Sequence, residues 1–350
     1  MEPSPDRPGL LERLDAGPVL CAEGYLFELE RRGYLQAGAF VPEVVLDHPE
    51  QVEALHRDFV HAGSDVVEAL TYYAHREKLR AVGKEGLLED MNLQALEIAH
   101  RVASESGALL AGNICNTNLY DPADPQTQTQ TREMFEEQVG WAVDADVDYV
   151  IGETFRYAAE AQLALDAIRA SGLPAVITLA VGQQPQTREG EPLPDVCRRL
   201  ADAGAAVVGL NCIRGPDTML PLLADITAAV DVPVAALPVP YRTSAAQPTF
   251  QSLRQADDTL LPEGRPFPTA LDPFVCNRYE IADFAVKAQA AGVRYLGLCC
   301  GAGPHHVRSM AEALGRTPAA SRYSDDMSKH AFFGTDPKLA NHNRAYHDSL

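Results

Sequence analysis

The sequence predicts a (β/α)8 TIM barrel, an α/β fold, from three observations. Eight short apolar, β-branched runs recur along the 350 residues, amphipathic segments separate most of them, and the longest irregular stretches follow run ends. The runs fall at 19–21, 65–72, 108–114, 147–153, 174–181, 205–212, 232–239 and 293–300. Near-continuous apolar strands are buried on both faces, as parallel strands are. Helical periodicity fills 91–104, 131–143, 158–170, 196–203, 218–230 and 281–291. Alternation of the two patterns marks βαβ units, and eight of them match a closed barrel in number and length. An open doubly wound sheet is the alternative. It normally carries a glycine-rich phosphate turn after its first strand, and Cys21-Ala22-Glu23-Gly24-Tyr25 lacks that pattern.

Two stretches interrupt the rhythm. Residues 116–130 form a polar, proline-containing loop after the third run, and 240–276 a long irregular connection after the seventh. Loops this long in a compact domain are usually functional, and both are expected at the C-terminal face, where barrels carry their sites. The barrel is expected over 1–316, followed by a polar C-terminal tail over 317–350.

Composition narrows the function classes. Hydrophobic residues make up 46%, enough for a large core, and the formal charge is -20. Such acidity repels phosphates, so neither nucleic acid nor an anionic membrane is an expected partner. No apolar stretch reaches the ~18–20 residues of a membrane span. The first residues, MEPSPDRPGL, lack the basic and apolar regions of a secretory signal, so a cytoplasmic location is expected. Seven cysteines in such a chain read as thiols or metal ligands rather than as a disulfide framework.

Cys212 closes the sixth run, and Cys299 and Cys300 close the eighth. Adjacent strand residues face opposite ways, but Gly301 and Gly303 allow the chain to turn there so that both sulfurs meet one metal. Three thiolates suit Zn2+, and a catalytic zinc keeps its fourth position open. Two further readings fit the bare sulfur pattern. One is a closed, non-catalytic zinc site with Cys115 or Cys21 as the fourth sulfur; the other is a metal-free enzyme with a reactive cysteine. Cys197 sits on a helical pattern, and His305 and His306 are read as helix-start or rim residues.

The segments VVGLNC and RYLGLCCGAGPHHVRSMAEAL resemble the zinc signatures of the homocysteine S-methyltransferase family, most closely its betaine-using branch. The resemblance extends through EGYLFELERRGYLQAG, HPEQVEALHRDFVHAGSDVVEALTYYAHREKL and VDYVIGETF, from about residue 8 to about 316. It implies a zinc-dependent enzyme that moves a methyl group from an onium donor to the thiolate of homocysteine, giving methionine, with no protein general acid required. Glycine betaine is the donor it favours. S-methylmethionine, dimethylsulfoniopropionate and other quaternary amines are the alternatives. Carried over position by position, it makes Cys212, Cys299 and Cys300 the zinc ligands. It places homocysteine against Glu23, Gly24 and Glu153, and the donor against Phe40 and Tyr73. This chain departs from the branch at Phe40 (a tryptophan there), Thr154 (a tyrosine) and Ala69 (a threonine). It also stops short of the long arm that braces the larger enzymes' oligomer, so a homo-oligomer remains open.

Overall fold

The computed structural model describes residues 7–257 and 259–340. Eight parallel strands close into one barrel in chain order. They are β1 (Val19–Ala22), β2 (Val66–Glu68), β3 (Leu109–Cys115), β4 (Tyr149–Phe155), β5 (Ala175–Leu179), β6 (Val207–Asn211), β7 (Val234–Leu237) and β8 (Val293–Leu298). All but one of their residues are buried; Arg294 reaches out to the Leu14 carbonyl. Closure comes from the β1–β8 pairing, which aligns Val19 with Tyr295 and Ala22 with Leu298.

The apolar residues sort into three layers. Inside the barrel, alternate strand residues such as Val19, Cys21, Val66, Ala111, Ile151, Val176, Val207 and Leu237 fill the lumen. There the Tyr149 and Tyr295 hydroxyls share a hydrogen bond of 2.9 Å. The helix Leu10–Ala16 plugs the N-terminal end with Leu10 and Leu14. The outer layer packs strands against helices such as Leu88–Ser106, Ala158–Ala170 and Arg278–Ala290. A third cluster caps the C-terminal end and includes Cys212, Cys299, Tyr241 and Phe250.

Three local differences from the sequence expectations have physical causes. The loop expected over 116–130 is shorter, because a helix runs over Pro125–Asp144. Asp124 caps it by accepting from the Gln126 N–H, and Pro125 occupies its first turn, where a missing N–H costs nothing. The second strand stops at Glu68 rather than continuing to Tyr72. Thr71 turns the chain out of the sheet: its N–H donates to the Ala69 carbonyl and its hydroxyl to the Asn113 carbonyl. Tyr72 and Tyr73 therefore sit on a turn, where strand alternation does not apply. Gly303, expected to help turn the chain after β8, is ordinary extended backbone capping the helix Pro304–Ala313, while Gly301 alone takes the left-handed conformation, φ 94°. A Cβ at 301 would lie 2.1 Å from the Tyr241 hydroxyl, so glycine is required there on two counts.

Residues 319–323 form a short turn with Ala320 buried, so the start of the tail lies on the barrel. Residues 1–6 of the expected barrel unit and 341–350 of the expected tail lie outside the described residues. No described helix is long and apolar enough to cross a membrane.

Candidate metal centre and substrate pocket

The strand between β6 and β8 brings the cysteines together. The Cys212 N–H donates to the Leu237 carbonyl and the Cys299 N–H to the Pro238 carbonyl, so both strand exits are pinned to the end of β7. The backbone then bends sharply: Cys212 and Ile213 both adopt left-handed conformations, φ 55° and 58°. That conformation is unfavourable for any side chain and worse for a β-branched one. Tyr73 (φ 62°) and Thr154 (φ 62°) share it, on the same rim. Strain gathered on consecutive residues at a site is characteristic of positions held for function.

The result is a compact sulfur triangle. Cys300 Sγ lies 3.8 Å from Cys212 Sγ and 3.8 Å from Cys299 Sγ. Disulfide sulfurs would be ~2.05 Å apart. Ligands on a tetrahedral zinc with Zn–S near ~2.3 Å sit ~3.8 Å apart, so the observed spacing fits a shared metal. Cys212 is held well below the ordinary thiol range by its hydrogen bonds with Cys299 and Cys300, while those two are pushed well above it. Three thiolates this close repel one another, and a cation at their centre lets all three ionise. Cys299 is buried and Cys300 faces the pocket.

Beside the sulfurs lies a carboxylate-lined pocket. Glu23, Glu68, Tyr72, Asn113, Glu153, Cys299 and Cys300 line it, and carboxyl oxygens of Glu23 and Glu153 lie within 4.8 Å of Cys299 Sγ and of each other. Glu153 stands at a register shift in the β4–β5 pairing, which turns it and Thr154 toward the mouth. It accepts from Asn113 Nδ2 at 2.7 Å, from Thr154 Oγ1 at 3.0 Å and from Asn211 Nδ2. Burial pushes its carboxyl up to about 7, with those three hydrogen bonds acting against the rise. Glu23 is pushed well up, first by burial and then by Glu153 and Glu68, and neither of its oxygens has a hydrogen-bond partner. Glu68 is also raised, by burial and then by Glu153, and its Oε2 is unpartnered. Buried carboxylates without partners are costly, and an ammonium group placed among them relieves that cost. Gly24 has a packing reason to be glycine, since a Cβ there would meet the Ala302 carbonyl oxygen at 2.4 Å.

The profile of the homocysteine S-methyltransferase family matches residues 24–314. The chain belongs to that family. It is 36% identical over 343 residues to betaine–homocysteine S-methyltransferase 1 of Danio rerio, covering 96% of this chain and 82% of that one. It is 34% identical over 333 residues to S-methylmethionine–homocysteine S-methyltransferase BHMT2 of Mus musculus, covering 93% and 86%. Among solved structures, the metallated form of the homocysteine methyltransferase MmuM from Escherichia coli superposes with a TM-score of 0.64 at 21% identity. The match covers 85% of this chain and 96% of that one.

In this methyltransferase the residues expected to hold the donor each make their own contacts. Phe40 stacks on Phe27 at 5.1 Å, and Phe27 leads through Phe250 to Tyr241. Phe250 in turn donates its N–H to the Ile213 carbonyl, beside Cys212. Tyr73 carries the Lys78 ammonium over its ring at 4.6 Å and donates its backbone N–H to Cys115 Sγ. Its neighbour Tyr72, 4.4 Å away ring to ring, lines the carboxylate pocket. Neither Cys115 nor Cys21 joins the sulfur triangle among the described residues. His306 is committed elsewhere, its Nδ1 accepting from the Gly303 N–H and its Nε2 bonded to the Cys276 carbonyl. Sequence reasoning passed over Glu68, Asn113 and Asn211, and set Tyr72 behind Tyr73 as the aromatic on the donor side. The signal for the first three was present: each is a polar residue interrupting an otherwise apolar strand run.

Proposed function

We propose that this homocysteine methyltransferase uses glycine betaine as its methyl donor and holds Zn2+ through Cys212, Cys299 and Cys300, producing methionine. The observation that carries the reading is the sulfur triangle, with two edges of 3.8 Å, opening onto three buried carboxylates. Zinc bound there supplies the charge that keeps a homocysteine sulfur deprotonated at neutral pH. The ammonium of homocysteine lies against Glu153 and Glu23, with Gly24 next to Glu23 at that wall. This is charge-assisted binding rather than acid–base work.

Phe40 and Tyr73 bound the donor side. Aromatic faces attract a quaternary ammonium by ~0.5–2 kcal/mol per good contact. A donor of this kind departs as a neutral amine, so the leaving group needs no proton and no general acid is required. The aromatic row Phe40–Phe27–Phe250 running toward Ile213 supports that placement. S-methylmethionine is the second reading, favoured by the 34% identity to the mouse enzyme named for that donor. The test is to incubate the zinc-loaded protein with homocysteine and each onium donor in turn and to measure methionine. Turnover highest with glycine betaine is expected, and absence of methionine with every onium donor overturns the reading.

A further inference from the structure

A second cleft opens on the same rim, beside the residue that follows Cys212. It measures about 520 Å³, and its lining includes Arg156, Ala180, Gly182, Thr187, Arg188 and Ile213. Ile213 directly follows Cys212, and Arg156 comes three residues after Glu153, so this cleft and the carboxylate pocket flank one centre. They share no lining residue. Their electrostatics are opposite: one wall carries Glu23, Glu68 and Glu153, and the other carries two guanidinium groups and no carboxylate.

Arg156 is the unusual member of the second wall. Its side chain makes no hydrogen bond and no ion pair among the described residues, and its Nε is buried without a partner. The neighbouring arginines are occupied. Arg214 donates to the Gly182 and Gln183 carbonyls at 2.7 and 2.9 Å, and Arg188 lies 5.5 Å from the Tyr157 ring. Arg156 is near enough to Cys212 and to Tyr73 for its charge to act on both. The acidic groups near it are already engaged. Glu160 accepts from the Thr117 N–H and hydroxyl, each at 2.8 Å, and Glu189 accepts from the Ala159 N–H.

We propose that Arg156 anchors a carboxylate on the methyl donor, so that the site selects onium donors that also carry a carboxylate. The inference rests on the reading that an onium donor methylates homocysteine at this centre. A guanidinium presents paired N–H donors matched to a carboxylate. Homocysteine also carries a carboxylate, but on the same carbon as its ammonium. With the ammonium held against Glu153 and Glu23, varying homocysteine and the donor separately tells the two carboxylates apart. The donor enters from the other side of the sulfur it methylates, and its onium centre and carboxylate then span the distance from the aromatic row to Arg156.

The experiment is steady-state kinetics of the zinc-loaded enzyme, varying glycine betaine and homocysteine separately, for wild type, Arg156→Gln and Arg156→Lys. Zinc content and melting temperature are measured for each. A contact made equally in ground and transition states appears in KM rather than kcat. Arg156→Gln is expected to raise the donor KM roughly 10- to 100-fold. Homocysteine KM and zinc content stay at wild-type values, and Arg156→Lys recovers part of the loss. A wild-type donor KM in Arg156→Gln overturns the inference, as does a rise confined to homocysteine. Wild-type enzyme inactive with every onium donor is a different failure, because it removes the functional reading before any variant is compared.

Discussion

Cys212 Sγ and Cys300 Sγ lie 3.8 Å apart although 88 positions separate the two residues in the chain. The contact depends on β7, whose end binds the backbone of both strand exits, and on two consecutive left-handed residues at Cys212 and Ile213. Such a bend costs of order ~1–3 kcal/mol per residue, and a metal shared by the sulfurs offsets it. Cys300→Ala is expected to lose bound zinc and methyl transfer together. Cys197→Ala should keep both, because Cys197 is buried in the helix Leu193–Asp202 far from the triangle in the fold's outer layer. Metal analysis alongside the methionine assay checks both variants.

Glu153 and its three hydrogen-bond donors form the most completely built part of the pocket. Glu153→Gln keeps the shape and removes the charge. Homocysteine KM is expected to rise roughly 10- to 100-fold, with zinc content unchanged. A matching drop in zinc would instead mean that the carboxylate supports the metal.

Close backbone approach at Gly24 predicts a stability effect. The Cβ of Gly24→Ala would sit 2.4 Å from the Ala302 carbonyl oxygen, which cannot move without shifting the turn that carries Cys299 and Cys300. Overpacking of this kind costs about 1–3 kcal/mol. Chemical denaturation is expected to show a lowered midpoint, and zinc affinity should fall with it.

His56 gives the fold an acid-sensitive element. Burial depresses its imidazole to about 3, and it packs edge-on against Tyr25 at 4.8 Å with neither ring nitrogen hydrogen-bonded. An unfolded histidine takes up a proton near ~6.5, so below that pH the unfolded chain gains a proton that the folded chain refuses. Stability from this group is present above the unfolded value and is lost as pH falls toward the folded one. At pH 5 the loss is about 2 kcal/mol. His56→Leu should therefore gain stability relative to wild type at pH 5 compared with pH 7.5, read from denaturation midpoints at the two pH values.

The barrel was legible because its strands are buried on both faces and leave continuous apolar runs, and because Cys212 and the Cys299–Cys300 pair end two of them. Other features leave weaker traces. The exit of β2 at Glu68 is set by hydrogen bonds of Thr71 to Ala69 and Asn113, and the run through Tyr72 conceals it. The start of the helix Pro125–Asp144 is polar, because its first turn faces solvent and caps itself with Asp124. Left-handed conformations at Tyr73, Thr154, Cys212 and Ile213 leave no mark in the sequence, since none of these residues is glycine. Arg156 looks like any solvated arginine after a strand; only the cleft around it and its unpartnered Nε set it apart.

X-ray absorption at the zinc edge of the reduced protein, without and then with homocysteine, tests the central claim most directly. The account predicts stoichiometric zinc with three sulfur neighbours near ~2.3 Å, rising to four when homocysteine is added. A protein that binds no zinc, or one whose zinc already has four protein ligands and does not respond to homocysteine, would contradict it.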